Sequence, residues 1–122
     1  MRSVRDPLRN KSFQFSIRIV NLSKFLIADH REYVLSKQIL RSGTSIGANI
    51  AESKQGQSDP DFINKLAIAL KEASETEYWL ELLEATNYIT AAQADSLISD
   101  CNELKAMLIA SIKTKKKSIK ET

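Results

Sequence analysis

Apolar residues recur along this chain with helical spacing in four successive segments. In the first, Phe13, Ile17, Val20 and Ile27 fall within an arc of about 80° at roughly 100° per residue. Phe15, Ile19, Leu22 and Leu26 form a second arc roughly 150° away by the same count. A surface helix needs only one apolar face. The doubled stripe predicts a helix covered on two sides, by its own chain and by another subunit, or else sunk deep in its own fold. The Phe15, Ile19, Leu22 and Leu26 face is assigned to the subunit contact. Asp6 followed by Pro7 supplies the helix start, a capping carboxylate before a residue with preset φ.

A short polar link at 28–32 predicts that the second helix runs antiparallel to the first. Leu35, Ile39, Ile46 and Ile50 keep helical spacing through a passage crowded with small residues, "RSGTSIGANIAE" at 41–52. A phosphate-binding loop of the GxxxxGK[ST] type needs a preceding strand and a lysine after the second glycine. Here Gly43 and Gly47 are separated by three residues, no lysine follows, and the apolar period continues unbroken. The passage is therefore helix. Gly43, Gly47 and Ala51 form a bare ridge over which another backbone can approach. Each interior glycine costs about 1 kcal/mol relative to alanine, which close packing would offset. Beside the ridge, Ser42, Ser45, Asn49 and Glu52 form a polar row, either a hydrogen-bonding site or a seam that locks helix register.

After a break at 55–58, Ser58 or Asp59 caps a third helix. Its seam is Phe62, Leu66, Ala69, Ala73, Thr76, Leu80, Leu83 and Asn87, the alternating spacing of an antiparallel bundle. Thr90 and Gln93 read as a capping box for a fourth helix, whose seam is Ala94, Leu97, Cys101, Leu104 and Leu108. The pattern predicts an all-α, up-down-up-down antiparallel four-helix bundle. All 122 residues belong to one domain, with basic flexible ends at about 1–7 and 114–122.

Composition agrees: 3 glycines and 2 prolines leave long helices uninterrupted. A single cysteine, Cys101, permits no internal disulfide and no cysteine-cluster metal site. With no apolar leader segment and no apolar run near the roughly 20 residues of a membrane span, the expected setting is cytoplasmic, without membrane association. Charge changes the picture more. Arg2, Arg5, Arg9 and Lys11 crowd the beginning, and Lys113, Lys115, Lys116, Lys117 and Lys120 crowd the end, while the body between has more acids than bases. In the predicted topology both basic segments converge on one pole, a surface suited to RNA or DNA backbones without sequence readout. A merely solubilising tail is the plainer alternative.

The residues offer little to catalysis. Di-iron bundles need Glu-x-x-His pairs from two helices, and the chain has one histidine, His30, in the first link. Ser42 and Ser45 lack a histidine partner, and Cys101 occupies a core position where cysteine behaves as a small apolar residue. Glu72 and Glu75 sit beside a seam whose side chains fill the core, so no substrate pocket is implied. The expectation is a protein that is not an enzyme, with no cofactor and no metal.

The segments "QILRSGTSIGANIAES" at 38–53 and "DFINKLAIALKEASETEYWLELL" at 61–83 closely resemble the four-helix-bundle proteins encoded in 23S rRNA intervening sequences, to which the accessory proteins of diversity-generating retroelements are related. The resemblance spans residues 12 to about 112. It implies an all-α bundle that assembles as a homopentamer, with no established catalytic activity. For the retroelement branch it further implies binding of nucleic acid and of reverse transcriptase through a basic surface. The family's motif positions fall on Arg41, Ser42, Ser45, Asn49 and Glu52 of the second helix, and on Lys71, Glu72, Glu75, Trp79 and Leu80 of the third. Glu72 and Glu75 are expected to meet Arg41, Ser45 or Asn49 across the helix pair. The expected partners are other copies of the chain, RNA or DNA, or alternatively a protein for which the bundle is a scaffold.

Overall fold

Helix starts in this chain are set by local capping chemistry. The Asp6 carboxylate accepts the Arg9 N–H at 3.1 Å, and Ser58 accepts the Asp61 N–H at 3.3 Å. Thr90 and Gln93 close the capping box, with the Gln93 N–H donating to Thr90 Oγ1 at 3.1 Å and the Thr90 N–H to Gln93 Oε1 at 2.8 Å. The computed structural model, which describes residues 5–55 and 58–121, accordingly has α1 at Pro7–His30, α3 at Asp59–Ala85 and α4 at Ala91–Lys120. The second helix, α2 at Val34–Ser53, starts differently. Tyr33 precedes it without a side-chain cap. Instead Glu32 reaches forward and accepts the N–H groups of Val34, Leu35 and Ser36 at 3.1, 3.0 and 2.7 Å. A carboxylate there satisfies otherwise orphaned donors and faces the positive end of the helix dipole.

The helix ends depart from the expected boundaries. α1 runs to His30, beyond the start of the expected link, and stops where Arg31 turns left-handed at φ 50. Asn87, expected as the last position of the third-helix seam, lies past the end of α3 at φ 68. There the Tyr88 N–H bonds the Leu83 carbonyl at 2.9 Å and the Asn87 N–H bonds that of Glu84 at 3.0 Å. This is a Schellman cap, and asparagine tolerates the left-handed position better than most residues. At the other end, α4 is helical through Lys120, including positions assigned from sequence to a flexible end.

Three links of three to five residues join the helices, so successive helices are antiparallel neighbours. α1 packs on α2, α2 on α3 and α3 on α4, while α1 closes the ring against α4 more sparsely. The result is the all-α up-down-up-down bundle predicted by the apolar period. Ile39, Ile46 and Ile50 of α2 are fully buried, as are Leu66, Ala73, Leu80 and Leu83 of α3. Cys101, Leu104 and Leu108 complete the core from α4. Each large side chain there contributes on the order of 1.5–3 kcal/mol relative to exposure. None of the described helices is long and apolar enough to cross a membrane.

The assignment of α1's faces has to be corrected. Phe15, Ile19, Leu22 and Leu26, expected at a subunit contact, are 1, 0, 8 and 0 % exposed and form α1's contribution to its own core. The face left outward is the other stripe. Phe13 and Val20 are half-buried there, and Ile17 and Ile27 are exposed. Two apolar stripes on an isolated helix look alike in sequence, and only the docking of α2 and α4 decides which one turns inward.

Candidate nucleic-acid interface

Antiparallel connection brings the start of α1, the end of α2, the start of α3 and the end of α4 to one pole. Arg5 and Arg9 are exposed there, together with Lys113, Lys116, Lys117 and Lys120. Of these, Lys117 lies 4.0 Å from Glu121, one turn along the same helix. Arg2 lies outside the described residues. Lys115 is half-buried and paired with Asp59 at 3.2 Å.

Lys11 does not join this outward-facing set. Its ammonium lies 2.9 Å from Glu103 and 3.7 Å from Asp100 on α4. Two turns further along α1, Arg18 donates to Asp100 at 2.7 Å and to Ser96 Oγ at 3.0 Å. These two cations bridge the α1–α4 seam, the most sparsely packed of the four.

Local electrostatics at the pole are mixed. Asp6 caps α1 and pairs with Lys54 at 2.9 Å. Burial works to raise its pKa, but the Lys54 ammonium and the Arg9 N–H outweigh it and hold the carboxyl below its ordinary range. Lys54 also lies 5.5 Å from the centroid of the Phe62 ring, and Lys115 lies 5.1 Å from it. Phe62 thus carries two cation–π contacts, an arrangement hidden in the sequence because Lys54, Phe62 and Lys115 belong to three different segments.

The family-motif residues occupy a separate region, the seam between α2 and α3. Arg41 donates to Glu72 at 3.1 Å and also to Glu75, and the Trp79 indole N–H donates to Glu75 at 3.1 Å. Beneath them the buried hydroxyls of Ser42 and Thr76 are hydrogen-bonded at 2.9 Å, and Thr76 Oγ1 lies 2.8 Å from the Glu72 carbonyl. Arg41 meets both glutamates, whereas Ser45 and Asn49 turn back to their own helix. Ser45 donates to the Arg41 carbonyl at 2.6 Å and Asn49 to the Ser45 carbonyl at 2.8 Å. Glu52 crosses to Lys65 of α3 at 2.8 Å, and Lys71 is exposed. Leu80, the remaining motif position, is core. Thr76 was legible only as a seam residue; its partnership with Ser42 depends on how the two helices are phased.

Cys101 is buried with its thiol 3.1 Å from the Ala73 carbonyl, and burial pushes its pKa up to about 11. At neutral pH it is a thiol, without the thiolate that nucleophilic or ligand chemistry requires. His30 ends α1, its ring edge-on to Phe25 at 5.2 Å and to Tyr88 at 5.3 Å. Among the described residues, no group of three or more His, Cys, Asp and Glu side chains is arranged to hold a metal ion.

Known proteins place this arrangement in context. The pattern of the 23S rRNA-intervening sequence proteins matches residues 7–110. The crystal structure of a protein with unknown function, of the S23 ribosomal protein family from Bacteroides thetaiotaomicron, superposes with a TM-score of 0.86. It is 61% identical, over 87% of this chain and 98% of that one. No functionally curated protein matches. The match runs from the first residue of α1 into the last part of α4, through the Arg41–Glu72–Glu75 seam, and this chain belongs to the family of 23S rRNA-intervening sequence proteins.

Proposed function

We propose that this chain is a non-enzymatic, homo-oligomeric binding module that engages RNA or DNA backbones through its basic pole. The observation that carries the reading is the set of six exposed cations, Arg5, Arg9, Lys113, Lys116, Lys117 and Lys120, on two helix ends that antiparallel topology brings together. Phosphate neutralisation by such groups releases counterions, so binding is sequence-tolerant and falls as salt rises. Assembly rests on the outward stripe of α1, where Ile17 and Ile27 are 43 % and 42 % exposed beside Phe13 and Val20. The pentameric count follows the family resemblance. A ring of copies would array several poles on one surface and multiply a weak single-pole affinity.

Filter binding of the full chain to duplex and single-stranded RNA and DNA, titrated against salt, tests the nucleic-acid reading. Engagement of about four phosphates predicts roughly a hundredfold loss of affinity for a fourfold rise in salt. Replacement of Lys113, Lys116, Lys117 and Lys120 by glutamate abolishes binding without lowering the melting temperature. Absence of binding at low salt removes the proposal.

A protein-interaction scaffold is the second reading. It is favoured by Tyr33 and Val34, adjacent at the opposite pole and 61 % and 70 % exposed. Under it, deleting residues 113–122 leaves partner capture intact, and replacing Tyr33 and Val34 by serine removes it.

A further inference from the structure

The α3–α4 end of the basic pole contains an open groove of about 400 Å³, lined by Phe62, Ala110, Ser111, Thr114, Lys115 and Ser118. Register explains why it is there. Lys11 lies level with Glu103, so α1 begins about one turn beyond that level while α4 runs on for nearly five turns past it. Beside the start of α3, the last part of α4 therefore has no α1 helix to cover it. Phe62 shows the consequence: it holds a seam position, yet it is half-buried, whereas Leu66 to Leu83 along the same seam are buried.

We infer that this groove is a single-stranded nucleic-acid site in which an unpaired base stacks against Phe62 while Lys54 and Lys115 receive the adjoining phosphates. The inference rests on the basic-pole reading and assigns its ligand class. The two ammoniums lie over the ring, 5.5 and 5.1 Å from its centroid, so a stacking base takes the face they now cover as they swing out to its phosphates. Their present acidic partners are accessible: the Lys54–Asp6 and Lys115–Asp59 pairs join side chains that are all partly exposed, with Asp59 at 54 %. Pairs of this kind contribute little to stability, so exchange of a carboxylate for a phosphate is inexpensive. Ser111, Thr114 and Ser118 add hydroxyl donors along one face of α4 for phosphate or sugar oxygens. Stacking is indifferent to base identity but requires a base free of its duplex neighbours. A duplex offers the same phosphates with its bases already stacked, so the aromatic ring selects single strands.

The test uses the full chain at low salt, with fluorescence anisotropy of a short oligouridylate and of a blunt RNA duplex of equal strand length. Phe62→Leu keeps an apolar side chain but removes the aromatic face, and is expected to weaken single-strand binding roughly tenfold or more while leaving duplex binding unchanged. Phe62→Trp retains single-strand binding, and its indole emission is quenched on addition of the oligonucleotide. Equal losses on both ligands, or an unweakened single-strand affinity in Phe62→Leu, overturn this inference while the basic-pole reading stands. Wild-type protein that binds neither ligand overturns both.

Discussion

Gly43 of α2 lies against Ile19 of α1 so closely that a Cβ on the glycine would stand 2.7 Å from Ile19 Cγ2 and 2.8 Å from Cγ1. Ile19 is fully buried and offers its branched Cβ region rather than a flexible tip, so it has no room to yield. Gly47, one turn along, faces looser neighbours, with the nearest contact 3.2 Å away at Ser16 Oγ. Gly43→Ala is therefore expected to destabilise the bundle by about 1–2 kcal/mol, overpacking exceeding the gain in helix propensity. Gly47→Ala is expected to lie within about 0.5 kcal/mol of the parent, because the two effects nearly cancel. Urea denaturation of both variants checks the contrast.

The Ser42–Thr76 pair predicts non-additivity. Both hydroxyls are buried and they are hydrogen-bonded at 2.9 Å. Thr76→Val leaves Ser42 with only a long 3.5 Å contact to the Ile39 carbonyl and should cost about 1–3 kcal/mol. Adding Ser42→Ala removes the stranded hydroxyl and is expected to recover about half of that loss. A double-mutant cycle from chemical denaturation gives the coupling directly.

Above this pair, the Arg41 ion pairs should matter less for folding than their density suggests. The Arg41 side chain is 48 % exposed, and exposed ion pairs contribute about 0–1 kcal/mol. Arg41→Ala is expected to lower stability by under about 1 kcal/mol. A larger loss of assembly than of stability, read by light scattering beside thermal melting, would mark this seam as a subunit contact.

The outward stripe of α1 predicts a separation of assembly from stability. Ile17→Lys places a charge on an exposed position and should change subunit stability by no more than about 0.5 kcal/mol. Under the proposed assembly, it is expected to leave only a monomer in light scattering. Phe15→Lys, by contrast, should prevent folding, since Phe15 is core.

Asp6 predicts an acid-sensitive contribution. Its folded-state pKa is lowered from the ordinary 3.8, so its stabilisation is fully present above that value and is lost as pH falls through the folded-state pKa. Asp6→Ala should cost about 1 kcal/mol at neutral pH, as for other capping residues. The gap between variant and parent should close below about pH 4, in denaturation curves measured across that range.

Helix count, order and most helix starts were legible because they depend on near neighbours. Apolar spacing, the Asp6 and Ser58 caps and the Thr90–Gln93 box all act within a turn of the residues they organise. The Glu32 cap was not legible, since glutamate reaches the α2 N–H groups only after the chain has turned left-handed at Arg31. Asn87 fitted the heptad-like spacing of α3 equally well as a seam residue, and only its backbone angle identifies it as the cap. The gathering of basic residues at one pole could be read from the sequence, but the engagement of Lys11 with Glu103 could not, because it needs the α1–α4 register.

By itself, then, the sequence determined four amphipathic helices, their antiparallel order and the basic character of one pole, since each follows from periodicity, short links and composition. Tertiary structure alone decided which stripe of α1 is core, which cations face solvent, and how Lys54, Phe62 and Lys115 come together. Those outcomes depend on the rotation and axial offset of one helix against another. Side-chain packing across the interface sets both quantities, and no segment encodes them on its own.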